Sequence, residues 1–204
     1  MSRLRKRDLA LAATDPVMRR LVDAHGPCPL RRQREREPFS VLASSIVSQM
    51  VSTAAARTIL ARIEAAAGGL DPRAIGRLDE PALRGLGLSR AKALAMRALS
   101  EQVLSGELDL DDLGRRPAPA IYARLTALPG IGVWTANMYL IFYLGRPDVF
   151  PERDLGIQEG IRIAYALPRR PTAPEARARA ERWAPYRSLA AWYLWRAKDG
   201  PAAL

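Results

Sequence analysis

A chain of 204 residues can bury a substantial core, and its length predicts one compact domain or two small packed lobes rather than a string of modules. Apolar residues make up 49% of it but never run unbroken for about eighteen positions, so no stretch reads as a membrane span or signal peptide; a soluble cytoplasmic protein is expected. The formal net charge is +11, and of 32 basic residues all but Lys6, Lys92 and Lys198 are arginines, which fork onto phosphate better than lysine does. A polyanionic partner follows, with biased base composition in the source genome as the competing explanation. Basic residues run from Arg3 to Lys198 without a tail, which favours a folded binding face.

In chain order, Asp15-Pro16 reads as a helix cap followed by proline in the first turn. The lone histidine and lone cysteine, His25 and Cys28, lie in an Ala-His-Gly-Pro-Cys-Pro turn. One cysteine can form neither an internal disulfide nor a cage for zinc or an iron–sulfur cluster, and the pair reads as loop residues rather than a nucleophile. Leu42, Ile46 and Met50 form a helical apolar stripe, and Gly68-Gly69 ends the next helix. Two glycine-centred segments, Leu86 to Lys92 and Leu128 to Ala136, each end one helix and begin another. Met138 to Leu144 reads as a buried helix continuing from the second. Pro174 and Pro185 open the last two helices, the final one striped by Tyr186, Leu189, Ala190 and Tyr193. The chain is therefore expected to be all-α, with about ten helices and no convincing strand.

The second glycine segment, Leu128-Pro-Gly-Ile-Gly-Val-Trp-Thr-Ala136, has a specific logic. Pro129 bars further helix, Gly130 and Gly132 allow unusual angles and close approach, and a helix then starts with its N–H groups facing outward. That arrangement suits a DNA phosphate, with an ordinary tight hairpin as the alternative.

Together with Asp148-Val-Phe-Pro-Glu-Arg-Asp-Leu155, this segment closely resembles the helix–hairpin–helix DNA glycosylases, in particular the 3-methyladenine DNA glycosylase II branch. The likeness extends to Pro38-Phe39, to Ile46-Val-Ser-Gln-Met-Val-Ser52, to Glu181-Arg-Trp-Ala-Pro-Tyr-Arg-Ser188 and to Trp195, covering about 160 residues. It implies a single unit over residues 1–204, a minimal all-helical member without the N-terminal β-rich domain of some relatives. Two helical lobes are implied, one at roughly 40–150 carrying the hairpin 128–136 and one from 1–39 plus 151–204. The hairpin would lie at the mouth of the cleft between them.

The resemblance also assigns site residues. Asp154 matches the catalytic aspartate, and its place at a helix start suits an anion that stabilises an oxocarbenium-like sugar or positions a water. Asp148 and Glu152 are the neighbouring alternatives. Trp134 stands where lyase-type relatives carry a lysine nucleophile, so a monofunctional hydrolase is expected. Trp134 and Trp195 match tryptophans of the base pocket, where stacking and cation–π attraction favour a cationic alkylated base, with burial in the core as the alternative for each. Met138 replaces a tyrosine that some relatives carry in that pocket; Tyr139 and Tyr143 are further pocket candidates. Gly130, Gly132, Val133 and Thr135 would bind DNA through the hairpin. Met50 matches an intercalating wedge, with Gln49 reaching the opposite strand, and simple core packing is the alternative for Met50.

No side-chain metal site and no required cofactor are expected, although the Leu128 and Ile131 carbonyls could hold a structural monovalent cation as in relatives. The expected partner is double-stranded DNA containing damaged bases, bound by a monomer associated with the nucleoid and not with a membrane. A non-catalytic helix–hairpin–helix DNA-binding protein is the main alternative. An adenine- or oxidised-guanine-specific glycosylase and a helix-turn-helix regulator are the others.

Overall fold

The computed structural model describes residues 4–32 and 37–200. Its elements are α1 (Lys6–Ala12), α2 (Pro16–His25), α3 (Pro38–Ser48), α4 (Thr53–Ala67), α5 (Pro72–Gly76), α6 (Glu80–Gly85), α7 (Arg90–Leu104), α8 (Leu110–Leu113), α9 (Ala118–Thr126), α10 (Val133–Met138), α11 (Leu155–Ala164), α12 (Ala173–Ala180) and α13 (Arg187–Asp199). No strand occurs among the described residues, as the helical spacing predicts. The helices outnumber the expected ten because α5, α6 and α8 have only 5, 6 and 4 residues, too few to leave an apolar period.

Short polar side chains start many of these helices, each satisfying N–H groups that lack an intrahelical acceptor. Asp15 Oδ1 accepts the N–H groups of Val17 and Met18 at 2.8 and 2.9 Å. Asp79 Oδ1 accepts that of Ala82 at 2.8 Å, and Ser89 Oγ that of Lys92 at 3.3 Å. Gly68, left-handed at φ 77, closes α4 as the Gly-Gly signal predicts.

Two compact units make up the chain: Arg32–Leu144, and Met1–Arg31 with Gly145–Leu204. The first ends at Leu144, just ahead of the left-handed Gly145 (φ 62) and somewhat before the boundary expected near 150. Its core gathers Leu42, Ile46, Ile63, Ile75, Leu83, Met96, Leu99, Ile121, Leu125 and Ile141, all fully buried. Each such side chain contributes about 1.5–3 kcal/mol by leaving water. Helix α10 runs directly into a wider π-helical turn, Tyr139–Tyr143, in which the Leu144 N–H reaches back five residues to the Tyr139 carbonyl at 3.0 Å. The 138–144 segment is thus helical and buried as expected, with Tyr139 and Tyr143 stacked at 5.1 Å.

The second unit is built around Trp183, Tyr193, Met18, Val22, Ile157 and Ile161. Cys28 is buried, and burial pushes its thiol up to about 11, so the thiol is inert at neutral pH and matches the loop reading. Its N–H donates to Asp8 Oδ1 at 3.1 Å, while the Tyr193 hydroxyl lies 3.0 Å from the same oxygen and fastens α13 to the chain around α1.

Candidate active site and DNA-binding hairpin

The carboxylate site lies within the unit containing α11 and α13. Residues 147–149 are stitched to the start of α13: the Ser188 N–H donates to the Pro147 carbonyl (3.0 Å), and the Val149 N–H to Ser188 Oγ (2.9 Å). Arg187 grips Asp148 with Nε on Oδ1 (2.7 Å) and Nη2 on Oδ2 (2.8 Å), and these bonds hold the Asp148 carboxyl below the usual carboxylate range. Glu152 pairs with Arg177 at 3.0 Å. Both neighbouring carboxylates are therefore engaged with arginines.

Asp154 has different surroundings. It is the N-cap of α11, and its Oδ1 accepts the Ile157 N–H at 2.8 Å and the Trp195 indole N–H at 3.1 Å. Two donors from different helices fix the carboxylate's torsion and share its charge, a preorganised anion of the kind that stabilises developing positive charge. The closeness of α11 to α13 depends on two glycines that the sequence reading passed over. A Cβ on Gly160 would lie 2.1 Å from the Leu194 carbonyl oxygen, and one on Gly156 3.0 Å from Asp154 Oδ1 and 3.2 Å from Trp195 Cδ1. Glycine four residues apart on one helix face was the available signal. Trp195, expected as a pocket wall, is half-buried and also serves as the carboxylate's donor.

The hairpin lies in the other unit, between α9 and α10. Gly130 is left-handed at φ 73, and a Cβ there would meet Ala95 Cβ on α7 at 2.6 Å, so its glycine is required by packing. Gly132 is the opposite case. Its φ of −99 and ψ of −179 suit any residue, and no described atom lies within 4 Å of a Cβ built there. As N-cap of α10 it supplies no side-chain acceptor to the opening N–H groups. Val133 beside it is 56% exposed. Thr135 departs from the expectation: it is buried, 1% exposed, and its hydroxyl accepts a hydrogen bond from Gln49 Nε2 at 2.9 Å. Trp134 is half-buried and Met138, one turn on along the same helix face, is buried.

Met50 requires a correction. It is not the third member of a helical stripe, because α3 ends at Ser48 and Met50 sits in the following turn at φ 55, 91% exposed. Core packing is thereby excluded. Gln49, expected to reach toward DNA, directs its amide into the protein, donating to the Gly130 carbonyl (3.0 Å) as well as to Thr135. The sequence reading also missed Lys92. Its ammonium donates to the Val47 and Gln49 carbonyls at 2.8 and 2.5 Å, and burial lowers its pKa.

Among the described residues, no group of three His, Cys, Asp or Glu could hold a metal ion, and no helix is long and apolar enough to cross a membrane. The Leu128 carbonyl accepts the Ile131 N–H at 3.1 Å and retains a second lone pair, a hard oxygen donor that fits a monovalent cation.

Comparison with known proteins agrees with this geometry. Residues 43–185 match the model of the HhH-GPD superfamily of base excision DNA repair proteins. The chain is 33% identical over 198 residues to DNA-3-methyladenine glycosylase 1 of Schizosaccharomyces pombe, covering 95% of this chain and 87% of that one. It superposes with a TM-score of 0.87 and 34% identity on the 3-methyladenine DNA glycosylase Mag1 of S. pombe in complex with abasic DNA, covering 94% of this chain and 95% of that one. A DNA-3-methyladenine glycosidase from Bacillus halodurans gives a TM-score of 0.76 at 34% identity, with coverages of 95% and 89%. An all-helical chain whose hairpin and aspartate lie within the matched residues belongs to the HhH-GPD superfamily of base excision DNA repair proteins.

Proposed function

We propose that the chain is a monofunctional DNA glycosylase that extrudes alkylated bases from duplex DNA and hydrolyses their N-glycosidic bonds. The observation that carries this reading is Asp154, held through Oδ1 by the Ile157 N–H and the Trp195 indole while its acidic neighbours are paired with arginines. In the reaction, the glycosidic bond breaks and its electron pair leaves with the base. Asp154 stabilises the cationic sugar; water then adds at the sugar carbon and loses its proton. A base alkylated on a ring nitrogen departs as a neutral molecule and needs little acid assistance, and the tryptophan face of Trp195, whose indole reaches Asp154, favours its cationic form before departure.

The hairpin supplies the DNA grip. Neither backbone conformation nor packing requires glycine at 132, so the reason for it lies outside the protein: a phosphate approaching the opening N–H groups of α10. Met50, exposed on its turn, fills the gap left by the extruded base. The Leu128 and Ile131 carbonyls would hold a monovalent cation that stiffens the hairpin. Because Trp134 stands where lyase-type relatives have a lysine, no Schiff base forms and the strand stays intact.

Product analysis on duplexes carrying a single 7-methylguanine, 3-methyladenine or hypoxanthine tests the reading. The expected products are free base and an unbroken strand that cleaves only after alkali, with no adduct trapped by borohydride. Tight DNA binding with no base released would favour the non-catalytic alternative, and efficient trapping at one lysine would overturn the monofunctional assignment.

A further inference from the structure

The turn that presents Met50 is held in an unfavourable shape. Gln49 leaves the helix at ψ 125 and Met50 adopts φ 55, a left-handed conformation that costs a non-glycine residue roughly 1–2 kcal/mol. Neither residue is a glycine or asparagine, so local chemistry does not make the turn. Two long-range fastenings do. The Lys92 ammonium, at the start of α7, bonds the Val47 carbonyl (2.8 Å) and the Gln49 carbonyl (2.5 Å), drawing together one acceptor from the last turn of α3 and one just beyond its end. The Gln49 side chain ties the same turn to Gly130 and Thr135 of the hairpin. The start of α7 is itself fixed to α3 by these bonds, and α7 abuts the hairpin where Ala95 meets Gly130.

We propose that Lys92 is a positioning residue for base extrusion: by capping the end of α3 and gathering the Val47 and Gln49 carbonyls, it holds Met50 outward before DNA arrives. This rests on the reading of Met50 as the wedge. A preset wedge avoids ordering the turn during extrusion, a step that already costs a few kcal/mol in unstacking. Without the ammonium, both carbonyls lose a charged donor, the left-handed turn relaxes, and Met50 no longer stands where the base leaves.

The test is single-turnover excision of 7-methylguanine placed opposite cytosine and opposite thymine, with unaltered protein, M50A, K92M and the double variant. Lys92→Met keeps the apolar stem and removes the donors. It is expected to slow excision opposite cytosine on the order of tenfold, the rate equivalent of one charge-assisted hydrogen bond, and opposite thymine much less. Adding M50A to K92M should cost no more than about twofold further, since the wedge is already displaced. Loss of stability alone does not produce this non-additivity. Thermal unfolding is followed for K92M and the milder K92Q, and whichever is folded at the assay temperature carries the comparison. If M50A slows both pairs equally, the wedge reading fails and the proposal with it. If M50A discriminates between the pairs but its penalty is undiminished in the Lys92 variant, the positioning role alone is overturned.

Discussion

Helix α11 begins on a carboxylate of its own, whereas α10 begins on a glycine that supplies none. Both helix starts concentrate N–H donors and the positive end of a helix dipole. At α11 that field is used internally: Asp154 accepts the Ile157 N–H at 2.8 Å, and the same interaction that caps the helix aims the anion. At α10 Gly132 leaves the field facing outward, with room for a ligand where a side chain would otherwise stand. One backbone device thus serves two tasks in one chain, and a single side chain decides which. Under the function proposed above, the filled start orients chemistry and the unfilled one receives an external anion.

The strongest way to break this contrast is Asp154→Asn. Asparagine is as good a cap and can still accept from Ile157 and Trp195, so folding and DNA binding should persist while the charge is lost. Single-turnover excision should fall on the order of 10²-fold or more, with a smaller loss for cationic 7-methylguanine than for neutral hypoxanthine. Near-normal excision of every lesion would move the chemistry to another group. A smaller effect is expected from Gly132→Val, which places a branched side chain where no described atom lies within 4 Å. Undamaged-duplex affinity, measured by titration at fixed salt, should weaken on the order of tenfold with little change in thermal stability. Gly132 is the cleaner position for this purpose than Gly130, where a Cβ would lie 2.6 Å from Ala95. The smallest effect is expected from Asp79→Ala. Asp79 caps α6 with the same 2.8 Å geometry as Asp154, but the interaction serves the fold alone. Its loss should cost about 1 kcal/mol of stability by denaturant unfolding and leave excision unaltered. If it slows excision as well, a cap's contribution to folding and its contribution to chemistry are not separable in this protein.

Much of this was legible in the sequence where local rules act. Asp15 before Pro16, Gly68-Gly69 and the Pro-Gly-Ile-Gly hairpin declare helix boundaries through the backbone preferences of their own residues. The place of Asp154 at a helix start was readable from its own motif. What escaped depends on contacts between distant residues. The apolar spacing of Leu42, Ile46 and Met50 continues smoothly past the end of α3, because the chain is turned there by Lys92 and by Gln49's bond to Thr135 rather than by any local breaker. The same distance hid the Trp195 indole from Asp154. Thr135 looked like a surface contact because its motif borders the hairpin, but it is buried and bonded to Gln49, 86 residues away in the sequence. The short helices α5, α6 and α8 left no period to find.

The contact between Gly160 and Leu194 has a consequence for reading other chains. With 2.1 Å between the Leu194 carbonyl and any Cβ at 160, even alanine would force α11 and α13 apart by more than an ångström, and the indole of Trp195 would draw back from Asp154 with it. The spacing Asp-x-Gly-x-x-x-Gly is therefore a compact written record of a three-dimensional arrangement. Finding it ahead of a distant tryptophan marks an aspartate whose second donor is already in place, and an aspartate in the same motif followed by bulkier residues must be oriented by some other means.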